Sequence, residues 1–256
     1  MAIIALKAWY LERYEPIREV VKRPHDLRLN KNSLLKTGLR ADFLEERLDV
    51  QSTVWFQRYL EGEAVEFYIE GSGGYAIANI DLVSHEIYFV KQDVSARLDP
   101  TIYLCFQSEY EPARSALAQA LERAIAKLGK KSRVPLSLQS SPRPADGPMR
   151  LSSTQLRQIR KCLLLIADTT AIARVGGDED ASLLLGSNTC VELGFALQTK
   201  RPGEILLVSM ERPNLRGTMP FDLPNHQQLQ YGTAKDLDRS LPQILEMLLQ
   251  RFNLFV

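Results

Sequence analysis

Histidine, cysteine and net charge are all scarce in this chain, and each shortage removes a class of chemistry. Only three histidines occur in 256 residues, His25, His85 and His226. They have neither metal-ligand spacing nor a place in a nucleophile–His–acid order, so no histidine-centred metal site or triad is expected. The three cysteines, Cys105, Cys162 and Cys190, form no CxxC pair. Two of them sit in apolar runs, which predicts reduced core thiols in a cytoplasmic protein. Formal net charge is +1, too little for a bulk attraction to nucleic acid or a membrane surface, so any basic patch must be local. No apolar run approaches the roughly 18 residues that a spanning helix needs. The start, "MAIIALKAWYLERYEP", meets charge too soon for a signal peptide. No membrane partner is therefore expected.

What remains is ordinary globular material, 45% hydrophobic and 25% charged, enough for a real core. The patterning changes near residues 92–99, "QDVSARLD", and predicts two regions. Residues 1–95 read as a small α+β domain with an antiparallel meander. "PIREVVKR" and the stretch from Ser33 to Leu48 suggest short helices, the latter broken at Gly38. "TVWFQRYL", "AVEFYIE", "GYAIANID" and "EIYFVK" are β-branched and aromatic runs that suggest strands. The glycines of "EGSGGY" predict a hairpin between the second and third of them.

Residues 100–256 alternate strand with helix. "PTIYLCFQ", "VPLSLQ", "CLLLIADTT", "GEILLV" and "NHQQLQY" predict buried or short strands. "YEPARSALAQALERAIAKLGKK", "SSTQLRQIRK", "SNTCVELGFAL" and "DLDRSLPQILEMLLQRF" predict helices between and after them. Near-continuous apolar strands separated by helices imply a parallel sheet covered on both faces. Ligands of such sheets collect at the carboxyl ends of the strands, so the loops starting at Gln107, Gln139 and Asp168 are expected to line one mouth.

Glu192 is the most informative residue. Thr189 and Glu192 have capping-box spacing, and a carboxylate in a first turn gains about 0.3–1 kcal/mol from the helix dipole. That is a purely structural role. Against it, Ser187, Asn188 and Thr189 bring small polar groups to a helix start at the predicted ligand edge, where free N–H groups favour anions.

"CLLLIADTT" followed by "GSNTCVELGFAL" resembles the TIR and TIR-like nucleotide-binding family of prokaryotic immune proteins. Asn188, Glu192, Leu193, Gly194 and Ala196 match its helix-start motif, and Phe195 replaces a tyrosine. The proline before the asparagine is missing, Thr189 replaces a valine, and "RVGGDEDASLLL" is inserted between strand and motif. Nucleoside deoxyribosyltransferase-like proteins share much of the pattern. The resemblance covers residues 100–256 and implies a flavodoxin-like fold.

It also implies that Glu192 is catalytic in cleaving the bond between ribose and nicotinamide of NAD, which is substrate and not cofactor. It implies nucleotide binding by Gln107, Ser108, Arg143, Asp168, Ser187 and Asn188, self-association into a homo-oligomer on activation, and a role in antiviral defence. Nicotinamide leaves as a neutral base, so one carboxylate beside a ribose that turns cationic suffices. Two alternatives stand: a deoxyribosyltransferase-like N-glycosidase acting on deoxynucleotides with Glu192 as nucleophile, and a non-catalytic nucleotide-binding adaptor. Arg150 is a second loop arginine of interest. The acidic "GDEDAS" reads as a surface loop rather than a metal site. Residues 21–40 carry six Lys/Arg against the single acid Asp26, a local excess suited to a nucleotide signal, a nucleic acid or an acidic protein partner.

Overall fold

The computed structural model describes residues 5–34, 37–143, 152–177, 181–223 and 225–255, the stretch 31–34 by its backbone. They fall into two compact units, Met1–Leu98 and Asp99–Val256.

The first unit corrects the expectation of an open α+β meander, because its sheet closes on itself. Strands β1 (Leu6–Tyr10), β2 (Leu27–Leu34), β3 (Gly38–Phe43), β4 (Glu66–Ile69), β5 (Gly73–Asp81) and β6 (Glu86–Lys91) form a barrel in the order β1-β2-β3-β6-β5-β4. Every pairing is antiparallel, and β1 with β4 completes the ring. Of the stretch expected to be helical, Ser33–Leu34 and Gly38–Phe43 belong to strands, while Lys36 and its neighbour Leu35 lie outside the described residues. Leu27 and Leu29 on β2, and Leu39, Ala41 and Phe43 on β3, are buried between solvent-facing neighbours. That is a period of two, which the many Lys and Arg residues between them obscure.

Three short helices, α1 (Ile17–Val20), α2 (Arg47–Gln51) and α3 (Val54–Leu60), complete the unit. The last was expected as a strand. Thr53 caps it by accepting from the N–H of Phe56 at 3.3 Å, and Trp55 and Phe56 drop into the barrel core. Capping and burial together outweigh the β-propensity of its aromatic residues. The expected hairpin is β4–β5, with Gly71 at φ +68 supplying its left-handed turn.

The second unit is a five-stranded parallel sheet. Its strands are β7 (Asp99–Cys105), β8 (Ser137–Ser140), β9 (Cys162–Asp168), β12 (Ile205–Met210) and β13 (Gln227–Tyr231), in the order β13-β12-β9-β7-β8. Numbered by appearance this is 2-1-3-4-5, the flavodoxin-like order, whose switch point lies between β7 and β9. Helices α4 (Glu111–Gly129) and α7 (Ala234–Gln250) pack together, as do α5 (Ser153–Lys161) and α6 (Ser187–Thr199). Right-handed crossovers put the two pairs on opposite faces. The insertion after β9 is a small hairpin of β10 (Ala173–Val175) and β11 (Ser182–Leu184). No helix among the described residues is long and apolar enough to cross a membrane.

Both tryptophans, Trp9 and Trp55, are buried in the first unit, so fluorescence reports on the barrel alone. A Cβ at Gly74 would lie 2.5 Å from Val94 Cγ2 and 2.7 Å from the Gln92 carbonyl oxygen. Gly74→Ala is expected to destabilise the barrel by about 1–3 kcal/mol, read as a lowered urea midpoint of tryptophan fluorescence. An unchanged midpoint would contradict this packing.

Candidate functional site

The site is built where β7, β8, α5 and α6 meet beside the switch point. The first turn of α6 begins after Gly186, and no side chain caps it. Glu192 is the sixth helical residue, so the capping-box reading does not hold. Thr189, Glu192, Leu193 and Ala196 form the buried stripe of α6. Their spacing of three, four and seven residues is that of a helix's inward face. Glu192 therefore points a carboxylate where an aliphatic side chain would ordinarily lie, and its exposure is 0%.

Among the described residues, Arg143, Ser141 and Gln155 donate to that carboxylate. Arg143 engages it in bidentate fashion, Nη1 to Oε1 at 3.1 Å and Nη2 to Oε2 at 3.1 Å. The Ser141 hydroxyl and Gln155 Nε2 both donate to Oε1. Removing two ions from water costs several kcal/mol each, and only a well-formed, fully hydrogen-bonded pair offsets it. Arg143 also donates to the Phe106 carbonyl, from Nε at 3.1 Å and from Nη2 at 2.6 Å, and lies 4.9 Å from the Phe106 ring centroid. Its side chain is 8% exposed. Burial works to lower the Arg143 pKa, but the hydrogen bonds and charge of Glu192 prevail and raise it.

Below the pair, Tyr103 and Cys105 of β7 enter the apolar core that Ile159, Leu193 and Ala196 complete. Burial, with the Glu192 charge adding to it, pushes the Tyr103 phenol up to about 12 and the Cys105 thiol well above its ordinary range. Neither is a ready nucleophile at neutral pH.

A second cluster lies at the carboxyl ends of β7 and β9. Gln107 Nε2 donates to Asp168 Oδ2 at 3.2 Å and to the Tyr110 carbonyl at 2.9 Å, while the Thr170 N–H donates to Asp168 Oδ1 at 3.0 Å. Burial raises the Asp168 pKa against these lowering hydrogen bonds. A Cβ at Gly186 would stand 2.6 Å from Gln107 Cβ, so only glycine lets the start of α6 press against this loop.

Gln107 and Asp168 are thus joined by a hydrogen bond, and Arg143 and Glu192 by an ion pair. Ser108 and Ser187 are exposed and Asn188 half-buried on the same side. Arg150 and the acids Asp178, Glu179 and Asp180 lie outside the described residues. Ser141 and Gln155 were not anticipated. Gln155 carries a legible signal, because it shares the buried face of α5 with Ile159 four residues on; Ser141 sits in a loop and offers none.

In the basic stretch, Lys22 pairs with Glu19, Arg23 with Glu15, Arg28 with Glu45, and Arg40 with Glu86. These acids come from outside the 21–40 window, so these four charges are answered in three dimensions; the side chains of Lys31 and Lys36 lie outside the described residues.

Arg143→Met leaves an uncompensated buried carboxylate and is expected to cost about 3–5 kcal/mol, with the Arg143→Met/Glu192→Met double variant recovering most of it. Urea unfolding followed by far-UV circular dichroism, which reports the helices of the second unit, measures both. A neutral Arg143→Met would mean that the pair is not formed as described.

No family model and no curated protein matches the chain. Among solved structures, its C-terminal part is similar to the CMP N-glycosidase BcmB of Clostridium botulinum, with 16% identity and a TM-score of 0.33. That likeness covers 56% of this chain and 98% of the other. The fold described above rests on the strand order and not on this likeness.

Proposed function

We propose that the second unit cleaves the N-glycosidic bond of a nucleotide, with Glu192 as the carboxylate that faces the ribose carbon. One observation carries this reading: a wholly buried carboxylate beside the switch point, held by a hydroxyl, a carboxamide and a guanidinium. Breaking the bond between sugar and base builds positive charge on the ribose ring. A fixed anion in a water-poor setting stabilises that charge far more than a solvated one does. The hydrogen bonds from Ser141 and Gln155 keep the carboxylate oriented without neutralising it.

In the arrangement described, Arg143 occupies the approach to Glu192, so ribose reaches the carboxylate only when the guanidinium withdraws. A substrate phosphate is the natural competitor for it, since arginine binds phosphate and carboxylate through the same planar fork. This favours nucleotides over nucleosides. NAD, with its neutral leaving group, needs no general acid and is one candidate; cytidine and deoxycytidine monophosphates are others. The resemblance of the α6 motif to TIR-like proteins supports NAD, together with self-association and a defensive role.

A second reading has its own support. Because Glu192 has no exposed surface, the ion pair also suits a nucleotide-binding adaptor in which it only locks α5 and α6 to the sheet.

The test is base release from NAD, CMP and dCMP, measured chromatographically at low and high protein concentration. Turnover of one of the three is expected, falling by about 10²–10³-fold in Glu192→Gln with unchanged circular dichroism. Absence of base release from all three would overturn the glycosidase reading and leave the adaptor.

A further inference from the structure

A groove of about 330 Å³ opens on the second unit, away from the Arg143–Glu192 pair. It exists because of an omission in the fold. Parallel strands are ordinarily joined by a helix that covers the sheet, but residues 211–226, which join β12 to β13, contain no helix among the described residues. The sheet beneath is left to an irregular segment. Thr218 anchors that segment to the β10–β11 hairpin, donating its N–H to Ala181 O at 2.9 Å and accepting from Leu183 N at 2.8 Å.

The parallel register fixes what the groove floor displays. Leu207 stands beside Gln228, and Ser209 beside Gln230. Leu207 belongs to the apolar core under α6, so this row faces the α6 side of the sheet. Thr169, one residue beyond β9, continues it. Carboxamides and hydroxyls on the face of a sheet are what a buried surface would avoid, and Gln228 and Gln230 are both exposed.

The walls are apolar. Met219 is 43% and Phe221 38% exposed, a patch that water covers at a cost. The volume and this mixture of apolar walls with a few convergent polar groups are those of small-molecule sites.

We propose that this groove binds an uncharged, planar, amino-bearing heterocycle of the nucleobase class. Charge selects that class. Among the described residues no lysine or arginine lines the groove, and its single acidic residue is Asp222, so a phosphate would meet no compensating cation. The Gln230 carboxamide offers one donor edge and one acceptor edge, the complement of a base's hydrogen-bonding edge; Gln228, whose Nε2 donates to Leu223 O at 3.4 Å, adds its carbonyl as an acceptor. Asp222 accepts from an exocyclic amino group, and Phe221 offers a face for stacking. Sugar and any phosphate would project into solvent. This inference does not rest on the glycosidase reading.

The experiment is saturation-transfer NMR on the full chain with adenosine, cytidine and uridine. Transfer to the base protons of adenosine or cytidine is expected, stronger than to uridine, which lacks the amino group. Phe221→Ala and Gln230→Leu change exposed side chains, so the fold persists and is checked by circular dichroism. Each is expected to weaken binding about tenfold, the equivalent of 1.4 kcal/mol, while Glu192→Gln leaves it unchanged. No transfer to any nucleoside, or transfer that survives both groove variants, overturns the proposal. Loss of binding in Glu192→Gln alone would also overturn it, by placing the base at the other site.

Discussion

The bidentate pair of Arg143 with Glu192 is the contact on which the second unit's candidate site depends. Four pieces of chain meet in it: the end of β7 through the Phe106 carbonyl, the loop after β8 through Ser141 and Arg143, α5 through Gln155, and α6 through Glu192. An aliphatic cluster would hold these elements together with no charge to desolvate, and such replacements are often neutral or stabilising. A buried ion pair here is thus poorly explained by stability alone. On the proposed glycosidase reading, the negative charge is what the site requires, and Arg143 is the partner that holds it.

The same face of the sheet carries two different kinds of polarity. At the switch point, charge is concentrated and enclosed, and its partners are strong donors. Over β12 and β13, polarity is neutral and open, because the crossover supplies no helix to cover it. Asp168 and Thr169 are chain neighbours whose side chains leave the chain in opposite directions: the carboxylate is tied to Gln107 and Thr170, while the next residue lines the groove. A single sheet therefore presents chemically distinct surfaces side by side, determined by which crossover contains a helix.

The alternation of strand and helix after residue 100 was legible because buried parallel strands are continuous apolar runs, as in "CLLLIAD", and because the helices have strong caps or stripes. The barrel was less so. Its strands β2 and β3 alternate Leu27, Leu29, Leu39, Ala41 and Phe43 with Arg28, Asn30, Arg40 and Asp42, yet the charged residues and Gly38 invite a helical reading. Closure of the ring is a property of long-range pairing, β1 with β4, that no local pattern encodes. Of the candidate residues, Gln107 and Asp168 were singled out at strand ends, Glu192 in the helix motif and Arg143 in a loop through the family resemblance, but the sequence does not say whom they bind. Arg143 meets a carboxylate 49 positions away, and Ser141 has no periodicity to betray it. Glu192 itself was open to two readings, and the burial spacing of Thr189, Leu193 and Ala196 decides against the cap.

Closure of the barrel also constrains how copies of this chain can associate. A ring of paired strands leaves no row of free backbone N–H and C=O groups, so the first unit offers no template for strand addition. The parallel sheet does, at its two outer strands, β8 and β13. Among the described residues, an assembly that extends the parallel sheet from one copy to the next must therefore run through Ser137–Ser140 or Gln227–Tyr231, the first next to the loop that carries Arg143 and the second contributing to the groove.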